Sequence, residues 1–245
     1  MINNVKVENL SIKFGNQTIL KNIFFNISSK NSIYVIGQGS SGKTTLLKCI
    51  IGLVKPYKGD IYFDNTHLNK YLINKSEFNL KNLGVVFQKD ALFDSLTVWE
   101  NIMFKGLYKK SRKQNFNESL SLLKMVDLAD EVASLYPNEL SGGMKKRVAI
   151  ARAIAFKPNF LFLDEPTAGL DPIKSNKIFK IIKDLSKKRE MAVFAISSDI
   201  RGAIENFREI IFLENKKIHW KGKSNEVKLT SNKSLLGFIK KSNLF

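Results

Sequence analysis

Apolar and polar residues alternate along the N-terminal part of the chain, with the two-residue period that predicts half-buried strands. The alternation runs from Val5 to Phe14 and again from Ile19 to Ile27, with a turn between the two segments at Gly15-Asn16. Further short runs of apolar residues predict additional strands, and the fully apolar ones are typical of strands buried on both faces. These runs lie at Ser32–Ile36, Gly59–Phe63, Phe160–Leu163 and Ala192–Ile196.

The spacing becomes helical from about Gln88 to Lys157. Thr97-x-x-Glu100 has the spacing of a capping box and predicts a helix start. Asn117 is the predicted cap of a second helix, whose apolar residues Leu120, Leu123 and Val126 recur at helical intervals. Asp171-Pro172 predicts a third start, with aspartate as the cap and proline at the first helical position.

Strands that alternate with helices predict an α/β fold with a parallel sheet covered on both faces. We expect one domain over residues 1–245, with a helical subdomain at roughly 89–157 inserted in the α/β core. Residues 223–245 are expected to form a C-terminal extension. Within it, Ser231–Phe245 predicts a short apolar helix followed by a basic end.

Composition excludes several kinds of site. No stretch of the 245 residues approaches the roughly 18 apolar residues that cross a bilayer, and the N-terminus lacks the apolar core of a signal peptide. The lone Cys49 excludes an internal disulfide framework, and two histidines, His67 and His219, are too few for an ordinary zinc site. We therefore expect a cytosolic protein, or one held at a membrane only by partners.

The net charge of +18 favours an anionic partner, such as nucleic acid, ATP or an anionic membrane surface. The basic residues are scattered, with local clusters at Lys109–Lys113, Lys145–Arg147 and Lys187–Arg189. A lysine-rich composition spread over solvated faces explains the same net charge, so charge alone does not select a function.

Residues 37–44 fit the phosphate-binding pattern G-x-x-x-x-G-K-[ST] in full, directly after a predicted strand and before an apolar helix. Glycines let successive backbone N–H groups converge on phosphates at a helix N-terminus, whose dipole favours anions. Lys43 is expected to reach the β- and γ-phosphates of ATP, and the Thr44 hydroxyl to coordinate Mg²⁺. The predicted nucleotide-binding residues here are Gly37, Gln38, Gly39, Ser40, Ser41, Gly42, Lys43, Thr44 and Thr45.

A second element supplies the carboxylates that such a loop needs. The apolar run Phe160–Leu163 ends in Asp164 and Glu165, about 120 residues after the loop. Asp164 at the strand end suits the Mg²⁺ shell, and Glu165 is positioned to polarise the attacking water. The two motifs together predict ATP hydrolysis.

Leu140-Ser141-Gly142-Gly143 resembles the signature motif of ABC ATPases. The resemblance extends from Val5 to about Gly222. It implies a P-loop NTPase core with a mainly parallel sheet, N-terminal antiparallel β strands and an inserted helical subdomain. It also implies that Ser141, Gly142 and Gly143 of one copy face the γ-phosphate bound by the other, which makes the active form a homodimer with ATP between its subunits.

The same resemblance assigns three further residues. Phe14 resembles the aromatic residue that stacks on adenine, although a core strand aromatic fits the pattern as well. Gln88 resembles the glutamine that contacts Mg²⁺ and links the site to the helical insertion. Asp171 belongs to a segment that crosses between the two subunits.

One position departs from the family pattern. Ser198 stands where ABC ATPases usually carry a histidine that contacts the γ-phosphate, and neither His67 nor His219 replaces it by motif position. A serine donates a hydrogen bond but carries no charge and reaches less far. Because Lys43, Asp164 and Glu165 are all present, the sequence predicts slow but real hydrolysis, with Glu165, Gln88 and Ser198 as the catalytic set.

The segments Phe87–Asn101 and Leu140–Arg147 are similar to those of ATPases that work with MCE proteins in lipid transport. This resemblance implies phospholipid transport through a separate permease, with an MCE-type protein and an accessory subunit, at the cytoplasmic side of the inner membrane. The alternatives are an ATPase for another cargo, such as an amino-acid importer or an exporter, and a slow or degenerate regulatory subunit. A nucleic-acid partner is not expected, because the chain has one nucleotide domain and no heptad run.

Overall fold

A computed structural model describes residues 2–68 and 83–241 of the chain. In these ranges the strands are β1 Asn4–Phe14, β2 Gln17–Ser28, β3 Ser32–Ile36, β4 Lys58–Phe63, β5 Thr66–His67, β6 Leu83–Val86, β7 Phe160–Asp164, β8 Ala192–Ser197, β9 Glu209–Glu214 and β10 Lys217–Lys223. The α-helices are α1 Lys43–Ile50, α2 Val98–Met103, α3 Arg112–Met125, α4 Gly142–Ile154, α5 Pro172–Arg189, α6 Ile200–Asn206 and α7 Lys233–Lys241. Residues 242–245 of the expected extension lie outside the described residues.

The strands form two sheets. The N-terminal sheet is antiparallel in the order β2-β1-β4-β5, so the predicted pair of alternating strands forms a hairpin. The second sheet has the order β10-β9-β3-β8-β7-β6 and is parallel except for β10, which runs antiparallel to β9. The expected mainly parallel sheet with antiparallel N-terminal strands is therefore confirmed.

Strand order in the second sheet decides which loops meet. Strand β8 lies between β3 and β7, and all three run in the same direction. In an open parallel sheet, residues just beyond the carboxyl ends of neighbouring strands share one crevice. The segments that follow Ile36, Asp164 and Ser197 are thus brought together, although more than 150 residues separate the first from the last.

Both faces of the parallel sheet are buried. Along β7 and β8 every residue is buried, and alternate side chains enter two separate hydrophobic clusters. One cluster fills the space between the two sheets, where the Phe194 ring stacks on Phe25 with ring centroids 5.6 Å apart and meets Phe162 at 5.9 Å. The other packs beneath the helices from α2 to α7.

The chain between β6 and β7 contains α2, α3 and α4. The capping box at the start of α2 is confirmed, because Glu100 Oε2 accepts hydrogen bonds from Thr97 N at 2.9 Å and Thr97 Oγ1 at 2.6 Å. The predicted cap at Asn117 is wrong, since α3 begins at Arg112. Ser111 caps that helix and forms a reciprocal pair of hydrogen bonds with Gln114, which satisfies two backbone donors instead of one.

The remaining helix predictions agree with the structure. Asp171 caps α5 through a 2.9 Å bond from Lys174 N to Oδ1, with Pro172 in the first turn. Helix α7 occupies the expected place in the C-terminal segment and buries Leu235 and Ile239. Over the described ranges, we find no helix with the length and apolar character needed to traverse a bilayer.

Candidate nucleotide-binding site

The loop of residues 37–42 leads from β3 into α1, and two of its glycines are dictated by local geometry. A Cβ on Gly37 would lie 2.3 Å from the carbonyl oxygen of Leu213 on β9, so only glycine fits there. Gly42 precedes α1 with φ of 96°, a left-handed conformation that glycine adopts without strain. No side chain caps α1, so the backbone N–H groups of its first turn remain available to an anion.

Lys43 folds back over the loop. Its side chain is buried, and Nζ donates to the carbonyl oxygens of Gly37 at 2.9 Å and Gln38 at 3.1 Å. Nζ also lies 4.0 Å from Oε1 of Glu165. Burial lowers the pKa of the Lys43 ammonium, and the nearby carboxylates oppose that shift. The loop thus holds a desolvated positive charge among backbone carbonyls, where a phosphate would be a stronger partner.

Thr44 and Asp164 meet across the space between α1 and β7. The Thr44 hydroxyl donates to Asp164 Oδ1 at 3.1 Å, and the Asp164 side chain is almost fully buried. Burial raises the pKa of the Asp164 carboxyl above its usual value, although the Thr44 hydrogen bond opposes this. A divalent cation at this carboxylate would lower the pKa again and relieve the cost of burial.

This pair fits the predicted magnesium. Mg²⁺ prefers oxygen ligands and is commonly held by one or two carboxylates together with substrate phosphates. Within the part of the chain that the structure describes, no group of three or more His, Cys, Asp or Glu side chains is arranged to hold a metal alone. Thr44 and Asp164 would therefore hold the ion jointly with the nucleotide.

Glu165 lies beside these residues in a constrained conformation. Its φ of 48° places it in the left-handed region, which costs on the order of 1 kcal/mol for a residue with a Cβ. Its backbone N–H donates to Ile196 O at 2.8 Å, and its carboxylate Oε2 accepts from Ser197 Oγ at 2.5 Å. Ser198 contributes only its backbone N–H, at 3.4 Å from the same oxygen, and its side chain is exposed. The sequence indicated Ser198 and missed Ser197.

Gln88 has an exposed side chain, and its link to the helical segment is made by the backbone. The buried Lys146 of α4 donates to Gln88 O at 2.5 Å and pairs with Asp90 Oδ1 at 2.9 Å. Arg152, on the same helix, donates to the carbonyl oxygens of Asp90 and Ala91, both at 2.7 Å. Sequence reasoning missed both basic residues, because only the folded helix brings them against residues 88–91.

The segment Ser141–Gly143 lies at the start of α4. Ser141 caps the helix, with Oγ accepting from Met144 N at 3.3 Å. A Cβ on Gly142 or Gly143 would meet nothing closer than 3.7 Å, so packing within the chain does not require glycine at either position. Among the described residues, no hydrogen bond or ion pair joins Ser141–Gly143 to residues 37–44. Within one chain, the two predicted phosphate-binding segments are therefore not joined by any polar contact among the described residues.

The other predicted residues lie at the edges of this region. Phe14 ends β1 and is 52% exposed, so the alternative of a core strand aromatic is wrong. It stands beside the start of β2, which lines a groove of about 440 Å³ together with residues 38–41. Thr45 is half-buried in the first turn of α1. Asp171 is exposed, and its Oδ2 also pairs with Lys174 Nζ at 2.8 Å.

A family model described as ABC transporter matches residues 20–168, which is more than half of the chain. The chain belongs to the ABC transporter family. It has the ABC ATPase fold and is the ATP-binding, ATP-hydrolysing subunit of such a transporter.

Curated relatives and solved structures agree with this assignment. The arginine transport ATP-binding protein ArtM of Bacillus subtilis is 38% identical over 86% of this chain and 87% of its own length. The glutamine transport ATP-binding protein GlnQ of Escherichia coli is 36% identical over 87% of this chain and 89% of its own length. The chloroplastic protein TRIGALACTOSYLDIACYLGLYCEROL 3 of Arabidopsis thaliana is 36% identical over 89% of this chain and 68% of its own length.

Among solved structures, the dimeric bacterial ABC transporter cassette MJ0796 superposes with a TM-score of 0.81 at 32% identity, over 90% of this chain and 98% of that one. The same cassette in a dimeric post-hydrolysis state bound to ADP and Pi superposes with a TM-score of 0.78 at 33% identity, over 90% of this chain and 98% of that one.

Proposed function

We propose that two copies of the chain bind ATP between them, with residues 37–44 of one copy facing Ser141–Gly143 of the other. The observation that carries this proposal is that, among the described residues, no hydrogen bond or ion pair joins the two half-sites within one chain. Lys43, Thr44, Asp164 and Glu165 converge at the carboxyl ends of β3 and β7, whereas Ser141–Gly143 begins α4, where packing within the chain does not require either glycine. The dimeric state of the MJ0796 cassette supports the same arrangement.

Each residue then has a defined task in hydrolysis. The N–H groups of residues 37–44 and the Lys43 ammonium bind the phosphates, and Thr44 with Asp164 would hold Mg²⁺, which supplies neutralisation of phosphate charge when bound. Glu165 accepts the proton of the attacking water or orients it, and Ser141 donates to the phosphate oxygens from the opposite side. Phe14 stacks on the base, Gln88 would supply a further oxygen ligand to the ion, and Asp171 contacts the other subunit.

For the cargo, we propose import of a small polar solute, such as an amino acid, through a separate membrane-spanning permease. The names of the arginine and glutamine relatives support this cargo over the one that the sequence resemblance implied. The proposed place of the subunit is the cytoplasmic face of the plasma membrane, bound peripherally to the permease. The cargo is not expected to touch this subunit, so its own site residues do not select it.

Phospholipid transport with an MCE-type protein and an accessory subunit is the second candidate. The relative whose name is that of a galactolipid, 36% identical over 89% of the chain, favours it. An affinity pull-down of the tagged chain from native membranes distinguishes the two. Capture of a permease with a substrate-binding protein supports solute import, whereas capture of an MCE protein with bound lipid supports the second candidate. Failure to capture any multi-span permease would contradict both.

Ser198 allows a direct test of how fast the site works. We expect Ser198→His to raise kcat by up to about 100-fold, because an imidazole reaches the γ-phosphate and one such contact is typically worth 10²–10³ in rate. The measurement is phosphate release at saturating Mg²⁺-ATP. Ser231→His, which places the same side chain on an exposed serine outside the site, is the matched control. An unchanged rate in the first variant would show that this position contributes little here.

A further inference from the structure

The two oxygens of the Glu165 carboxylate have different surroundings. Oε1 faces the phosphate-binding loop, 4.0 Å from Lys43 Nζ. Oε2 accepts from Ser197 Oγ at 2.5 Å, while the next nearest donor, Ser198 N, lies 3.4 Å away. One hydroxyl therefore makes the single short hydrogen bond that this carboxylate receives among the described residues.

Ser197 is held firmly enough to fix its partner. It is the last residue of β8, pairs with Ile36 of β3 in the sheet, and is only 2% exposed. Its Oγ also accepts from Asp199 N at 3.1 Å, so a backbone donor occupies one side of the hydroxyl and directs its proton towards Glu165. Asp199 in turn caps α6 through Gly202 N at 2.9 Å. The hydroxyl is thus anchored at the junction of a buried strand and a helix.

Glu165 needs such an anchor in this chain. A glutamate side chain has several rotatable bonds, and fixing it in one geometry has an entropic cost. Reaction rates depend steeply on how well a catalytic group is oriented. With serine at position 198, no imidazole is available beside the carboxylate, and the exposed Ser198 side chain makes no bond to it.

We propose that Ser197 is a positioning residue for ATP hydrolysis. Its buried hydroxyl fixes Oε2 of Glu165 and so aims Oε1 at the space next to Lys43, where the attacking water would stand. The inference rests on the proposed role of Glu165 and adds a residue on which that role depends.

The test compares Ser197→Ala with Ser197→Thr. Alanine removes the hydroxyl, and we expect kcat to fall about 10-fold with an unchanged KM and an unchanged Kd for ATP, because the phosphate contacts are untouched. Threonine keeps the hydroxyl, and we expect kcat within about threefold of the wild type. Ser119→Ala is the matched control. It also removes a fully buried hydroxyl that donates to a carbonyl oxygen, that of Phe116 at 2.6 Å, but it lies on α3 outside the site.

Wild-type kcat in Ser197→Ala would overturn the proposal. A folded threonine variant that is as slow as the alanine variant would overturn it as well, since a structural role of the small side chain would then explain both. Should threonine fail to fold, adding Ser197→Ala to Glu165→Gln decides the question: the double variant should bind ATP as tightly as Glu165→Gln alone, and weaker binding would contradict a role confined to positioning. Rapid hydrolysis by Glu165→Gln itself would instead remove the proposed role of Glu165, which is a separable outcome.

Discussion

Replacement of Lys43 by alanine is expected to abolish measurable ATP binding, with an affinity loss of at least about 100-fold. Charge-assisted hydrogen bonds to phosphate contribute roughly 1.5–3 kcal/mol each, and each 1.4 kcal/mol corresponds to about tenfold in Kd. The ammonium is already desolvated and surrounded by the carbonyl oxygens of Gly37 and Gln38, so it is in place for the phosphates without a large rearrangement. Loss of the side chain removes both the charge and this preorganisation.

Isothermal titration with Mg²⁺-ATP measures the Lys43 effect. Lys55→Ala is the matched control, because it removes the same charge from an exposed position in the loop after α1. A thermal unfolding curve for each variant establishes that the comparison is between folded proteins. A Kd within about threefold of the wild type in Lys43→Ala would show that the phosphates bind elsewhere.

Substitution of Glu165 by glutamine has the second large effect. We expect hydrolysis to fall by about 10²–10⁴, the range typical for loss of a general base, while ATP affinity is retained. Glutamine has the same length and its amide oxygen still accepts from Ser197 Oγ, so the constrained geometry at residue 165 is preserved. Because ATP then stays intact between the two half-sites, the variant should accumulate as a dimer.

Phosphate release measures the loss of hydrolysis in Glu165→Gln. Light scattering in the presence of ATP or ADP measures whether the variant forms a dimer with ATP. Glu205→Gln, on the exposed side of α6, provides the same chemical change outside the site. Hydrolysis at the wild-type rate would remove Glu165 from its proposed role, and a monomer in the presence of ATP would contradict the shared site.

Local signals in the sequence predicted those parts of the site that are contiguous in the chain. Strand β3 was predicted with its observed bounds, since Ser32–Ile36 is an apolar run closed by a glycine loop. Asp164 and Glu165 stood out because they directly follow a fully apolar run. In both places the residue types that the chemistry needs differ sharply from their neighbours.

Contacts between distant segments were not predictable in the same way. Ser197 reaches Glu165 only because β7 and β8 run parallel with Asp164 opposite Ile196, and that register is a property of the folded sheet. Lys146 appeared in the sequence as one of several clustered basic residues, and nothing in its spacing distinguished a buried donor from solvated ones.

The hairpin of β9 and β10 was missed for a different reason. Its turn residues Asn215 and Lys216 both have positive φ, as in the type I′ turns that suit hairpins. Lysine in the second position hides the Asn-Gly signal that usually marks such a turn. The alternation that follows, with Ile218 and Trp220 between polar residues, was the clue that remained.

The attachment of residues 88–91 to α4 has a mechanical consequence. Helix α4 has 13 residues and is about 20 Å long. Lys146 and Arg152 bind residues 88–91 to the middle and the C-terminal part of this helix, and Ser141 caps its N-terminus. A displacement of α4 would therefore move Ser141 together with residues 88–91, because both are attached to the same helix. In the proposed dimer, the orientation of this one helix would set the angle at which Ser141–Gly143 meets the nucleotide bound by the other copy.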